Sequence, residues 1–360
     1  MRCPFCENTV MLPERARRAA RRELVVERTF DSPRPASSGS GGRVAFFLFI
    51  AALAVGIVFF AVRGVNRSVS TVTRTVSIPG TKSTLAPTQS GPWAGYTQPD
   101  LTFGSEGIGP GNFKDARSIA VDAEGRIYVG EYLGGRVQVF DSVGKFLTQW
   151  TVDPKMPLRA LAADRRGTVY VVQSNKLTRY EGMTGKTLGG VSDGRNAGFG
   201  DVWVTADGGL VTASGGTQDD IIRFDSSGQV SKVITKAISG QTDRSELNMR
   251  VAADGLGNIY ALGTFNNAVF KFSPDGRYLT QFGGRGDEPG QLHAPGAIAV
   301  DNQGRVYVSD IKGVQVFDPN GRYLKLIKVK GAASGMIFND RNEMFVVART
   351  QVYKFAPFNP

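Results

Sequence analysis

Histidine is almost missing from this chain: of 360 residues, only His293 is one. A single imidazole excludes metal centres built from several histidines. No Ser/His/Asp grouping and no glycine-rich phosphate loop stands out elsewhere. Cysteine is nearly as scarce, with Cys3 and Cys6 the only two. Acidic residues are short as well, 32 Asp and Glu against 43 Lys and Arg, for a net charge of +11. The deficit is uneven. Residues 1–92 hold 13 Lys/Arg against 5 Asp/Glu, and the remainder holds 30 against 27. Basicity is therefore an N-terminal property, which argues against nucleic-acid binding by the rest, since that needs a clustered basic face.

Long apolar runs are absent with one exception. Residues 44–62, VAFFLFIAALAVGIVFFAV, are 19 apolar residues between Arg43 and Arg63. At about 1.5 Å per residue such a helix spans a bilayer core of about 30 Å. It lies behind a mostly polar stretch and is too long for a signal-peptide core, so we read a transmembrane helix. Residues 1–30 read as a cytoplasmic tail with a short basic helix near Pro13, and residues 31–43, rich in Ser, Gly and Pro, as a linker. Residues 63–97 read as a stalk rich in Ser, Thr and Pro. Nine Lys/Arg precede the span, which would resist translocation, and a reducing cytosol suits the two thiols. The expected arrangement is a single-pass cell-membrane protein with its N-terminus cytoplasmic and residues 98–360 outside.

Those residues are repetitive. From Gly296 to Ile327 the text GAIAVDNQGRVYVSDIKGVQVFDPNGRYLKLI reads as four short strands separated by turns at Asp301-Asn-Gln-Gly304 and Asp318-Pro-Asn-Gly321. Aligned on the Asp that ends the first strand, the unit recurs at Asp122, Asp164, Asp207, Asp254, Asp301 and Asp340. Four strands per repeat of about 40–50 residues predict a β-propeller, here an all-β, six-bladed one. The last repeat stops after three strands, at Phe355. Residues 98–104 resemble a fourth strand, so they are expected to complete that blade and close the ring.

The stretches IAVDAEGRIYVGEYLGGRVQVFDSVGKFL (119–147), 298–324 and FGGRGDEPGQLHAPGAIAVD (282–301) resemble the NHL repeat. The likeness covers roughly 98–357 and is degraded in the second, third and sixth units; the third lacks the usual Tyr in its second strand, and the sixth has Glu343 where a turn glycine is expected. The resemblance implies a six-bladed propeller that binds a ligand or partner, without implying one activity. The copper and zinc lyases with NHL-like propellers use several histidines, which this chain lacks. Propellers similar to regucalcin and gluconolactonase hold a divalent cation on the axis. Only Glu131, Asp201 and Asp310 are candidates for that here, few for a hard cation such as calcium. Cys3-Pro-Phe-Cys6 resembles half of a zinc ribbon. It reads as a metal-free remnant, as one four-thiolate zinc site shared by two chains, or as a redox dithiol.

One face of such a propeller gathers the loops before each first strand and after each second strand. Arg117 and Arg159 fall at equivalent places there, with Arg250 and Trp203 one residue later in their repeats and Glu131 and Asp310 at second-strand ends. Converging guanidiniums would grip a carboxylate, phosphate or anionic sugar, or would pair with Asp115, Glu131 or Asp201. The expected function is a non-catalytic, membrane-anchored propeller that recognises a protein, peptide or glycan outside the cell. The alternative is a metal-dependent hydrolase or lactonase. A further expectation from the same region is a homodimer: Ala52 and Gly56 form a small-xxx-small pair, and pairing two chains would unite their Cys3/Cys6 thiols.

Overall fold

Turn chemistry cuts the chain into strands. In the computed structural model, which describes residues 98–195 and 198–357, each repeat becomes one four-stranded antiparallel sheet, six in all. Blade 1 runs Ala116–Val121, Ile127–Glu131, Arg136–Phe140, Phe146–Thr151; blade 2 runs Leu158–Ala163, Thr168–Gln173, Lys176–Glu181, Thr187–Val191. Blade 3 runs Phe199–Val204, Leu210–Ser214, Ile221–Phe224, Val230–Ile234; blade 4 runs Met249–Ala253, Ile259–Gly263, Ala268–Phe272, Tyr278–Gly283. Blade 5 runs Ala297–Val300, Val306–Asp310, Gly313–Phe317, Tyr323–Ile327. Blade 6 takes Gly335–Phe338, Met344–Ala348 and Gln351–Phe355, and its outer strand is Leu101–Phe103 from the other end of the domain. Phe103 faces Val352 and Leu101 faces Lys354 in that antiparallel pair. The ring is thus closed by non-contiguous chain, and blade 6 has no bare third strand.

The tail with Cys3 and Cys6, the linker 31–43, the apolar run 44–62 and the stalk 63–97 lie outside the described residues. Among the described residues no helix is long and apolar enough to cross a membrane.

One turn device recurs on the face away from the arginines. Asp122 Oδ1 accepts the N–H of Glu124 (3.0 Å) and of Arg126 (2.9 Å), which reverses the chain, and Gly125 takes φ +78° at the tight point. A buried Tyr on the second strand then hydrogen-bonds the other carboxylate oxygen: Tyr128 to Asp122 (2.9 Å), Tyr260 to Asp254 (3.0 Å), Tyr307 to Asp301 (3.1 Å). The recurring Tyr is explained by this buried Asp, which needs a donor.

The same device corrects the phase of two repeats. In blade 3 it is Thr205, not Asp207, whose N–H meets the start of the second strand, at Gly209 O (2.9 Å). In blade 6 it is Asn339, not Asp340, whose Oδ1 accepts from Arg341 and Glu343. The turn-glycine slot of blade 6 is therefore Asn342 at φ +60°, a conformation Asn tolerates, and Glu343 begins the next strand's approach.

Second strands read continuously apolar because both their faces are covered by neighbouring blades; Ile127–Glu131, Ile259–Gly263 and Val306–Asp310 are buried throughout. Core clusters sit between consecutive blades. Phe224 and Val172 join blades 3 and 2, for example, and Phe113, Phe140 and Phe345 seal blade 1 to blade 6. First strands meet no further strand on their inner edge, and all six line one axial channel of about 350 Å³.

Candidate functional site

The mouth of this channel that carries the arginines is shaped by β-bulges. In blades 1, 2 and 3 the register of the first strand slips by one, between Ala116 and Ser118, between Leu158 and Ala160, and between Phe199 and Asp201. The extra residue is Arg117, Arg159 and Gly200 respectively. A bulged residue is freed from the pleat, so its side chain is re-aimed while both neighbours keep their ladder positions. Blades 4, 5 and 6 show no such slip between their first and second strands.

Arg117 is held in a fork by Asp115, Nε to Oδ1 at 3.0 Å and Nη2 to Oδ2 at 2.7 Å. Its guanidinium also lies over the Tyr132 ring, 4.0 Å from the centroid. Burial lifts the Asp115 carboxyl, but Arg117 and Arg349 outweigh it and hold it below the usual carboxylate range. Arg250 reaches back over blade 3. Its Nη1 donates to the carbonyl of Arg159 (3.2 Å) and lies 3.6 Å from Asp201 Oδ1. Asp201 Oδ2 accepts the N–H of Val251 at 2.9 Å, so one side chain joins the inner edges of blades 3 and 4. Burial pushes the Asp201 carboxyl up, and Arg250 offsets this only in part. Among the described residues, Arg250 Nε and Ser118 Oγ are buried without a partner.

Arg159 differs from both. It is exposed at the channel rim, and its guanidinium has no hydrogen bond or ion pair among the described residues.

The structure brings Arg117, Arg159, Arg250 and Trp203 to the wall of one channel, and leaves Glu131 and Asp310 outside its lining. Glu131 is buried, with Oε1 accepting the N–H of Lys114 (2.7 Å) and Oε2 bonded to Arg136 (2.6 Å). Asp310 accepts from the N–H groups of Lys312 (2.8 Å) and His293 (3.2 Å) and from Gln315 Nε2 (2.8 Å). Gln173, at the same place in blade 2, fastens Asp153 and Met156. Second-strand ends thus tie down the loop that leads into their own blade.

The phase correction also moves two site residues. Asp201 in blade 3 takes the register place of Ser118, Ala160, Arg250 and Ala297, and Trp203 takes that of Ala120, Ala162, Ala252 and Ala299. A tryptophan therefore occupies the column that small residues hold in four other blades. Half-buried, it packs against the cores between blades 3 and 4, 4 and 5, and 5 and 6, filling the middle of the channel. Repeat text could have revealed this. The turn glycines Gly125, Gly167, Gly208, Gly257 and Gly304 share positive φ and mark the phase better than the Asp column does.

Among the described residues no group of three His, Cys, Asp or Glu side chains could hold a metal ion. Of Glu131, Asp201 and Asp310, only Asp201 lines the channel. This donor set does not fit a hard cation on the axis.

No family model matches the chain, and no curated protein matches it. Solved structures do. A gluconolactonase from Xanthomonas campestris aligns at 15% identity with a TM-score of 0.54, covering 72% of this chain and 98% of its own. A luciferin-regenerating enzyme aligns at 12% identity and TM-score 0.54 over 72% and 96% of the two chains. A streptogramin B lyase does so at 11% and 0.51 over 71% and 97%. At these identities the likeness shows the six-bladed propeller fold.

Proposed function

We propose that the arginine-bearing mouth of the channel binds an anionic group, a carboxylate first of all, on a ligand presented to the propeller. The observation that carries this is the exposed Arg159 guanidinium, raised on a bulge and unpaired among the described residues, beside Arg250 with its buried, partnerless Nε. A guanidinium offers five donors in a fixed fork, which suits a carboxylate's two oxygens. In this reading the repeats are of NHL type, and the propeller is displayed outside the cell on a single membrane span that follows a half zinc-ribbon tail. The test is calorimetric titration of the full-length protein with acetate and gluconate. Binding that weakens with salt and is lost in Arg159→Ala supports the reading; binding unchanged in Arg159→Ala refutes it.

A second reading is hydrolysis of a lactone. Its support is the activity named for the gluconolactonase of like fold, which at the level of fold favours an enzyme at least as well as a non-catalytic sensor. The two readings share the mouth, because a lactone's product is a carboxylate. The channel carbonyls and Asp201 are acceptors, and the arginines would face developing oxyanion charge. No step is routed through a metal, since the donors do not fit one. Release of acid from glucono-1,5-lactone, followed by pH-stat with and without added calcium, decides between them.

A further inference from the structure

The described residues expose thirteen large apolar side chains, and their placement is uneven. Leu147, Leu188, Val230, Tyr278 and Leu279 lie on outer strands, and Val143 and Leu256 on turns of the face away from the arginines. The other six are on loops of the arginine face. Four of these form two pairs: Ile108 and Leu133 in blade 1, 72% and 65% exposed, and Leu247 and Phe265 in blade 4, 52% and 60% exposed. In a closed ring of six, blades 1 and 4 stand opposite each other across the channel mouth.

Both pairs are displayed on fastened loops. Arg136 donates to the carbonyls of Ile108 and Asn112 (2.8 Å) and to Glu131 (2.6 Å), tying the loop of Ile108 to the strand that follows Leu133. Glu246, 2% exposed, accepts the N–H of Asn248 (3.0 Å), Phe265 (3.1 Å) and Asn266 (3.2 Å), tying the loop of Leu247 to that of Phe265. Exposed apolar side chains on pre-ordered loops lose little entropy on binding, which is a property of interaction surfaces rather than of idle loops.

From these observations we infer that the arginine face docks an extended polypeptide segment across the mouth, with an acidic side chain over Arg159 and an apolar side chain on each flank. The inference rests on the anion-site reading above and adds the partner. Charge complementarity fixes the centre, since Arg159 is an unpaired cation among the described residues and Arg250 reaches to its carbonyl. Geometry fixes the flanks, since the two apolar pairs lie on opposed blades. A channel of about 350 Å³ with Trp203 in its middle admits a side chain and excludes a helix, whose diameter is about 10 Å.

The test uses fluorescein-labelled peptides of the form leucine–spacer–glutamate–spacer–phenylalanine, each spacer one to four glycines, in polarisation assays on the full-length protein. Acetate is the small-anion probe, and vesicles with anionic headgroups are the lipid probe. At the best spacing, the peptide should bind at least tenfold tighter than its glutamine analogue and than acetate. Leu133→Ser/Phe265→Ser should weaken the peptide about tenfold, as expected for two half-buried apolar contacts, and leave acetate binding unchanged. Arg159→Ala should weaken both. If acetate binds through Arg159 but the peptide gains nothing over it, the inference fails and the anion site stands. If neither binds, both fail. Vesicle binding that depends on Leu133 and Phe265, without peptide binding, overturns the inference in favour of a membrane surface.

Discussion

Removing the Arg250 guanidinium isolates the Asp201 carboxylate in the channel wall. Asp201 is 13% and Arg250 25% exposed, so the pair is shielded enough for the loss to be felt. Stripping one partner from a buried ion pair costs about 3–5 kcal/mol. The low end applies, because the charges are 3.6 Å apart and Asp201 keeps the N–H of Val251. Arg250→Ala is therefore expected to lose about 3 kcal/mol, which for a domain of this size lowers Tm by roughly 6–12 °C.

The loss should depend on pH in a defined direction. Burial raises the Asp201 carboxyl above its usual value, and Arg250 opposes the rise. An acid whose folded-state pKa is raised holds its proton more firmly when folded. It therefore costs nothing below the unfolded pKa and its full penalty above the folded one. Without Arg250 the folded pKa climbs further and the penalty grows. In guanidinium unfolding followed by tryptophan fluorescence, Arg250→Ala should be more destabilised at about pH 8 than at about pH 5. Adding Asp201→Asn should recover most of the loss at the higher pH. Equal destabilisation at both pH values, or no recovery, would refute the account of a buried carboxylate neutralised by Arg250.

Other outcomes follow from the same structure. A protein beginning at Gly91 should unfold cooperatively, whereas one beginning at Gly107 loses the Leu101–Phe103 strand and the Phe103–Phe140 contact (4.8 Å) and should melt lower by several degrees or aggregate; equal melting curves would sink the closure. Tyr260→Phe should cost about 1 kcal/mol in chemical unfolding, because Asp254 Oδ2 keeps its bond from Asn258 (2.8 Å). Protease added to intact cells should remove the propeller and leave a tail-tagged fragment of about 60–90 residues that includes the proposed span, cleavage falling in the stalk; protection of the propeller would reverse the proposed topology. Full-length protein that dimerises through Gly56 should carry half a zinc per chain, lost with the dimer in Gly56→Leu, whereas a metal-free monomer would leave Cys3 and Cys6 as a remnant.

The fold was legible in the sequence where local chemistry repeats. Asp-x-x-Gly turns, a buried Tyr answering the Asp, and apolar second strands recur often enough to count the blades and to match residues 98–104 to the missing strand. Phase was lost where the marker changes chemistry. Thr205 and Asn339 replace the turn Asp, and a nearby Asp207 or Asp340 offers a false mark. The slip by two in blade 3 hid the tryptophan in the alanine column, whereas the pairing of the arginines with Asp115 and Asp201 was among the readings the sequence offered. The bulges were not legible at all. One extra residue near the start of a first strand leaves the apolar run after it intact, and register is a property of paired strands rather than of either alone. The roles of Glu131 and Asp310 were likewise out of reach, because the groups that occupy them, Lys114 N–H, Arg136, His293 N–H and Gln315, belong to loops whose path the repeat does not specify.

A ring of six like units has no preferred side until the units differ, and here they differ in sequence order. First-strand bulges fall in blades 1, 2 and 3, and two of the three inserted residues are arginines. Blade 4 supplies Arg250, which leans back to blade 2, whereas blades 5 and 6 bring Gly296, Ala297, Gly335 and Met336 to the same mouth. Positive charge is therefore displaced from the axis towards blades 1 and 2. Since Arg117 is already forked to Asp115, the vacant donors among the described residues are the Arg159 guanidinium on blade 2 and the Arg250 Nε beside it. In the proposed reading the acidic group of the ligand therefore sits off-centre, over blade 2, while the rest of the segment crosses the mouth. That placement follows from the bulges together with the pairing of Arg117 and the reach of Arg250, and it separates this mouth from one in which six equivalent groups converge on a central ion.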